Sequence, residues 1–79
     1  MTRARRGVTA REFTRALEQD GFVHVRTSGS HQSFRHPESH RLVVVAAHRS
    51  SDTFAIGTLK RMIRDAGWTD ENLQRLGLL

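Results

Sequence analysis

Cysteine is absent from this chain, which excludes disulfide staples and thiolate metal ligands. A domain without them stands on packing alone or on a partner, and a reducing cytoplasm is the expected compartment. Long apolar runs are missing as well. None approaches the roughly 18 residues of a membrane span, and the basic start Met1-Thr2-Arg3-Ala4-Arg5-Arg6 is followed by no apolar signal core. The expectation is a soluble, untargeted protein with no membrane partner. Length sets a third limit: 79 residues make one domain, 1–79, with one modest core and no elaborate enclosed active site. Repeats, low-complexity stretches and linkers are absent too. Acidic residues are scarce, with 8 Asp plus Glu against 13 Lys plus Arg, a formal charge of +5 and a sequence pI near 11.5. Clustered cations gain affinity for phosphates by displacing counterions, so a polyanionic partner is expected. Composition does not choose between RNA, DNA and an acidic protein.

The order of elements is legible along the chain. Thr9 and Glu12 form a capping box, Val8 and Phe13 fit the accompanying hydrophobic staple, and Phe13, Ala16 and Leu17 follow a helical spacing. Gly21 then ends a helix over about 10–20, with Phe22 placed against Leu17. From Phe22 to Thr27 the period becomes two, with Val23, Val25 and Thr27 on one face and Phe22, His24 and Arg26 on the other. Ser28-Gly29 signals a turn, His31 to His36 pairs back as a second strand, and Pro37-Glu38-Ser39-His40 turns the chain again. Leu42-Val43-Val44-Val45-Ala46-Ala47 is the third strand, its continuous apolar run calling for cover. Residues 49–54 read as a polar loop. Ile56, Leu59, Met62, Ile63 and Ala66 mark the inner face of a second helix ended by Gly67, with Trp68 near Ile63. Thr69-Asp70-Glu71-Asn72 caps a short last helix, whose Leu73, Leu76, Leu78 and Leu79 close the core or meet a partner. The fold class is α+β: α-β-β-β-α with both helices on one face of a three-stranded antiparallel sheet, plus a short C-terminal helix.

Within this frame Gly29-Ser30-His31-Gln32-Ser33-Phe34 places an imidazole at the mouth of a hairpin on a basic domain. Histidine has an unperturbed pKa of about 6.5, so it exchanges protons near neutrality, and beside cations it suits acid-base chemistry on a phosphodiester. Parity puts His31 and Phe34 on opposite faces, so His31 faces outward if Phe34 packs under the helices. An exposed hairpin His is ordinarily just a solvated side chain, and Gly29-Ser30 without it would be a simple turn. Gly29 allows a tight turn and close approach of backbone to a phosphate, and Ser30 offers a hydroxyl donor. Lys60, Arg61 and Arg64 on the second helix, with Arg26, Arg35 and Arg49 on or beside the sheet, are the candidate cations for the backbone of a polyanion such as RNA; a solvated face is the commoner reason for the helix cluster. Arg3, Arg5 and Arg6, within residues 1–7, read as a flexible basic tail. His24, His36, His40 and His48 form no tight metal-ligand spacing, so no metal and no cofactor are expected. Trp68 and the four Phe fall mostly at helical or strand core positions, which gives base stacking little support.

The element order, with Asp20-Gly21-Phe22, Gly29-Ser30-His31, the Ala46-Ala47-His48 strand end and Gly57-Thr58-Leu59 opening the second helix, resembles the HicA family of bacterial toxins from about Thr9 to Trp68. The resemblance implies a double-stranded-RNA-binding-domain-like fold, mRNA interferase activity and neutralisation by a HicB antitoxin. It implies His31 as the catalytic residue, with Gly29 and Ser30 in support and His48, where the family also tends to place a His, assisting it or orienting its loop. The chain departs from the family pattern at Ala46, where Pro usually stands two residues before that His. The expectation is a cytoplasmic, metal-independent endoribonuclease acting on mRNA, with a HicB-like antitoxin as protein partner. The rival is a module that binds RNA without cutting it.

Overall fold

The computed structural model describes residues 4–79. Helix α1 (Ala10–Gln19) starts with the expected capping box: Thr9 Oγ1 accepts from the Glu12 N–H at 3.2 Å, and the Glu12 carboxylate accepts from the Thr9 N–H at 3.0 Å. The Thr9 backbone N–H, then its hydroxyl and the Arg5 charge, hold Glu12 below the usual glutamate range against partial burial. The helix ends at Gly21, whose φ of 96° lets the Phe22 N–H reach the Leu17 carbonyl at 2.9 Å and the Gly21 N–H reach Glu18 at 3.1 Å.

Strands β1 (Val23–Ser28), β2 (His31–Arg35) and β3 (Leu42–Ala46) form an antiparallel sheet in the order β1-β2-β3. Phe34, Val43 and Val45 are buried on the face that carries the helices. His31, Ser33 and Arg35, with partners Ala46, Val44 and Leu42, stand on the other. Strict alternation in the first strand does not hold. A bulge lies between His24 and Arg26, so His24 pairs with Phe34 but Arg26 pairs with Ser33, and Thr27 with Gln32. One extra residue, Val25, shifts Arg26 to the open face and Thr27 to the helix face. Both valines of this edge strand are about half exposed, so burial did not impose the period.

Helix α2 (Ile56–Ala66) packs on β3 and buries Leu59, Met62, Ile63 and Ala66. Ile56, expected on the same stripe, is 54% exposed: it is the first helical residue and lies before the helix meets the core. Gly67 at φ 74° ends α2, and α3 (Asp70–Arg75) opens with a second capping box, Thr69 with Asn72. Leu73, Leu76 and Leu78 close the core, whereas Leu79 is 44% exposed. Of the segment read as a basic tail, residues 1–3 lie outside the described residues. Arg5 is no tail: its N–H bonds the Leu78 carbonyl at 2.8 Å, and its guanidinium reaches the Gly77 carbonyl and pairs with Glu12.

Asp20 joins four parts of the fold. Its carboxylate accepts from Trp68 Nε1 at 2.7 Å and from Arg75 at 2.8 Å, and its carbonyl accepts from His36 Nε2 at 2.9 Å. Burial pushes the Asp20 carboxyl up, but the bonds from Trp68 and Arg75 and the positive charges of Arg75 and His36 together hold it below the ordinary value of about 3.9. A depressed folded-state pKa contributes stability that is complete above the unfolded value and is lost as pH falls through the folded one. The melting temperature should therefore fall as pH drops below about 4. Asp20→Asn, which keeps an acceptor for Trp68 but cannot titrate, should start lower at neutral pH and decline less steeply. Parallel acid-side melting curves for the two proteins would contradict this.

Candidate active site at the hairpin end of the sheet

The Gly29-Ser30-His31 turn is built by local chemistry. Ser28 pairs with His31, leaving a two-residue loop whose first residue, Gly29, has φ 59° while Ser30 keeps an ordinary negative φ. Glycine at the first central position is what a type II′ hairpin requires. A side chain at Gly29 would meet nothing within 4 Å, so glycine is there for its backbone angle and leaves open space above the turn.

The register fixes what stands beside it. Ser28, His31 and Ala46 lie in one row across the sheet, on the face away from the helices, and His31 is exposed. The next rows on this face are Arg26, Ser33 and Val44, then Val23, Arg35 and Leu42. The bulge thus brings Arg26 onto the same face as His31 and Arg35. Arg35 also donates to the His40 carbonyl at 2.9 Å, bracing the β2–β3 turn, where His40 itself adopts φ 63°.

Three of the five histidines have visible local duties. His24 Nε2 contacts Thr27 Oγ1 at 2.7 Å. His36 Nε2 meets the Asp20 carbonyl at 2.9 Å and its Nδ1 faces the Glu38 N–H at 3.1 Å, so the ring is held on both sides. His40 supplies the left-handed turn. Among the described residues, the imidazoles of His31, His40 and His48 have no hydrogen-bond partner, and of these only His31 and His48 stand at the hairpin end of the sheet.

His48 follows β3, where the Ala47 N–H bonds the Ser30 carbonyl at 3.1 Å. The structure brings Gly29, Ser30 and His48 together, with Gln32 and Ala47, around one depression; His31 is not among its lining residues. The loop after His48 is held firmly although Ala46 replaces the family's proline. One Asp52 carboxylate oxygen accepts from both the His48 and Arg49 N–H groups at 3.0 Å, and the first N–H groups of α1, Ala10 and Arg11, bond the carbonyls of Asp52 and Ser50 at 2.8 and 2.9 Å. Sequence reasoning missed this clamp, although an acidic residue four positions after His48 was its available signal.

The candidate cations do not converge. Arg26 and Arg35 share the His31 face, whereas Arg49 lines a groove on the helix side. Lys60 and Arg64 border a separate groove between α2 and α3 with Trp68 and Leu73, and Arg61 is exposed on α2. That cluster belongs to the helical layer, away from the open sheet face. Arg11, which no local motif singled out, lines the same groove as Arg49. Among the described residues no three His, Asp or Glu side chains are grouped to hold a metal ion, and no helix is long and apolar enough to cross a membrane.

A three-stranded antiparallel sheet with helices on one face, in the order α-β-β-β-α, is compatible with a double-stranded-RNA-binding-domain-like fold, and this defines the class of domain. Residues 10–68 match the family described as HicA toxin of bacterial toxin-antitoxin, and the chain belongs to that family. It is therefore a toxin of a toxin-antitoxin pair, with an antitoxin as its partner. No curated protein matches the chain.

Proposed function

We propose that this toxin is a metal-independent endoribonuclease that cleaves mRNA in the cytoplasm by acid-base catalysis at His31 and is restrained by a HicB-like antitoxin. The observation that carries the reading is the His31 imidazole itself. It is exposed and unpartnered among the described residues, beside a glycine turn with open space, on a face shared with two arginines.

The chemistry needs one proton removed and one supplied. A neutral imidazole accepts the proton of a ribose 2′-hydroxyl as that oxygen bonds to phosphorus; the P–O5′ bond breaks, and the 5′-oxygen takes a proton from water or from an imidazolium. His31 fills either role. The nucleophile is part of the substrate, so no metal-bound water is called for. Arg26 and Arg35 supply positive charge for the phosphoryl oxygens, with Gly29 and Ser30 at the turn and His48 across the sheet end.

The test is cleavage of long single-stranded RNA by the purified full chain with EDTA present. Fragments with 2′,3′-cyclic phosphate and 5′-hydroxyl ends are expected. Intact RNA with a salt-sensitive band shift would replace the nuclease with an RNA-binding module.

A further inference from the structure

Gln32 is out of place by the rules of its own strand. It pairs through its backbone with Val45 and Thr27 on the face that buries Phe34, Val43 and Val45, yet it is exposed and its side-chain amide has no protein hydrogen-bond partner among the described residues. An amide in a core-facing row that is exposed, and not paired within the protein, is free to donate to and accept from a ligand. Here it opens into a groove of about 300 Å³ between the start of α1 and the ends of β2 and β3. The groove continues past Gln32 and His48 to Gly29 and Ser30, the turn that carries His31.

The lining has a definite chemistry. Ala10, Val45 and Ala47 give it a small apolar floor, Arg11 and Arg49 stand at its rim, and no Asp or Glu lines it. The helix N-terminus contributes nothing free, because its first N–H groups are spent on the 50–52 carbonyls, so the positive potential comes from the two guanidinium groups. The wall bearing His48 and Arg49 is fixed in advance by Asp52, which lowers the ordering cost of binding. A small apolar floor, two cations and a free amide match the base, phosphate and base edge of one nucleotide.

We infer that this groove is a subsite for the ribonucleotide next to the scissile phosphate: Arg11 and Arg49 hold its phosphate and Gln32 reads the edge of its base. This rests on the endoribonuclease reading. The RNA strand crosses the end of the sheet, from the His31 face over Ser30 and Ala47 into the groove. Cleavage-site preference is then set on the helix side, while bond breaking occurs on the other.

The test uses the full chain and its Arg11→Ala and Gln32→Ala variants, checked for fold by circular dichroism, on a long RNA whose cleavage sites are mapped at nucleotide resolution. Arg11→Ala should raise KM about tenfold at every site with kcat kept, and lower the slope of log KM against log salt by about 1. Gln32→Ala should keep that slope and broaden the cleavage sites. If the wild-type chain cuts RNA and both variants match it in KM and site pattern, the subsite is wrong and the nuclease stands. If the wild-type chain neither cuts nor binds RNA, both fall. If Arg11→Ala loses affinity for the antitoxin with RNA turnover unchanged, the groove takes the protein partner and the nucleotide assignment is overturned.

Discussion

His31→Ala should lose about 10²–10⁴-fold in RNA cleavage rate while keeping the wild-type fold and melting temperature. The range is what one positioned acid or base is worth, and among the described residues nothing else at the hairpin turn carries a free imidazole on the His31 face. Stability should hardly change, since His31 takes part in the sheet through its backbone, paired with Ser28 and Ala46, and its side chain is exposed and outside the core cluster. His31→Gln separates positioning from proton transfer: an amide hydrogen-bonds but does not titrate near neutrality, so it should be as inactive as alanine. Both variants should still bind RNA, because Arg26, Arg35 and Arg49 are intact. His48→Ala should cost less, as His48 lines the depression with Gly29 and Ser30 and the groove with Arg11, neither of which His31 lines. A folded His31→Ala protein that cuts at the wild-type rate would remove His31 from the chemistry.

Why the turn was legible in the sequence, and the groove was not, follows from the range of the forces involved. Thr9 with Glu12, Gly21, Gly67 and Thr69 with Asn72 are signals read within one turn of chain, and each appears in the structure as hydrogen bonds to neighbouring backbone. Gly29-Ser30-His31 belongs to the same kind. The bulge at Val25 does not: an extra residue on an exposed edge strand breaks no burial pattern, so the alternation of Val23, Val25 and Thr27 looked regular while Arg26 changed faces. The anchoring of Arg5 by Leu78 and Gly77, and the placing of Arg11 and Arg49 around one groove, depend on packing between distant parts of the chain that no short motif encodes. Lys60, Arg61 and Arg64 show the opposite failing. Their clustering was plain in sequence, but the fold places them on the helical layer and not beside the hairpin.

Phe13→Ala should be the most damaging core substitution, costing about 3–5 kcal/mol. A chain this short, without cysteine, rests on one small hydrophobic cluster, and domains of its size are worth only about 4–12 kcal/mol in total. Phe13 is fully buried at the point where three segments meet: its ring lies 5.3 Å from Trp68, which follows the Gly67 cap of α2 and bonds Asp20, and 6.1 Å edge-on to Phe54, in the segment leading from the His48 loop into α2. Truncation leaves a cavity that two large rings cannot fill without moving α1. The melting temperature should fall by about 12–40 °C, and Phe13→Leu, which keeps most of the volume, should recover much of the loss. The damage should also reach the candidate site. The first N–H groups of α1 hold the 50–52 carbonyls, so loosening α1 should speed amide exchange at His48 and Arg49 before it does so at β2. A drop below about 5 °C, or exchange rising evenly through the sheet and the loop, would mean that the aromatic cluster is not what ties α1 and the His48 loop to the core.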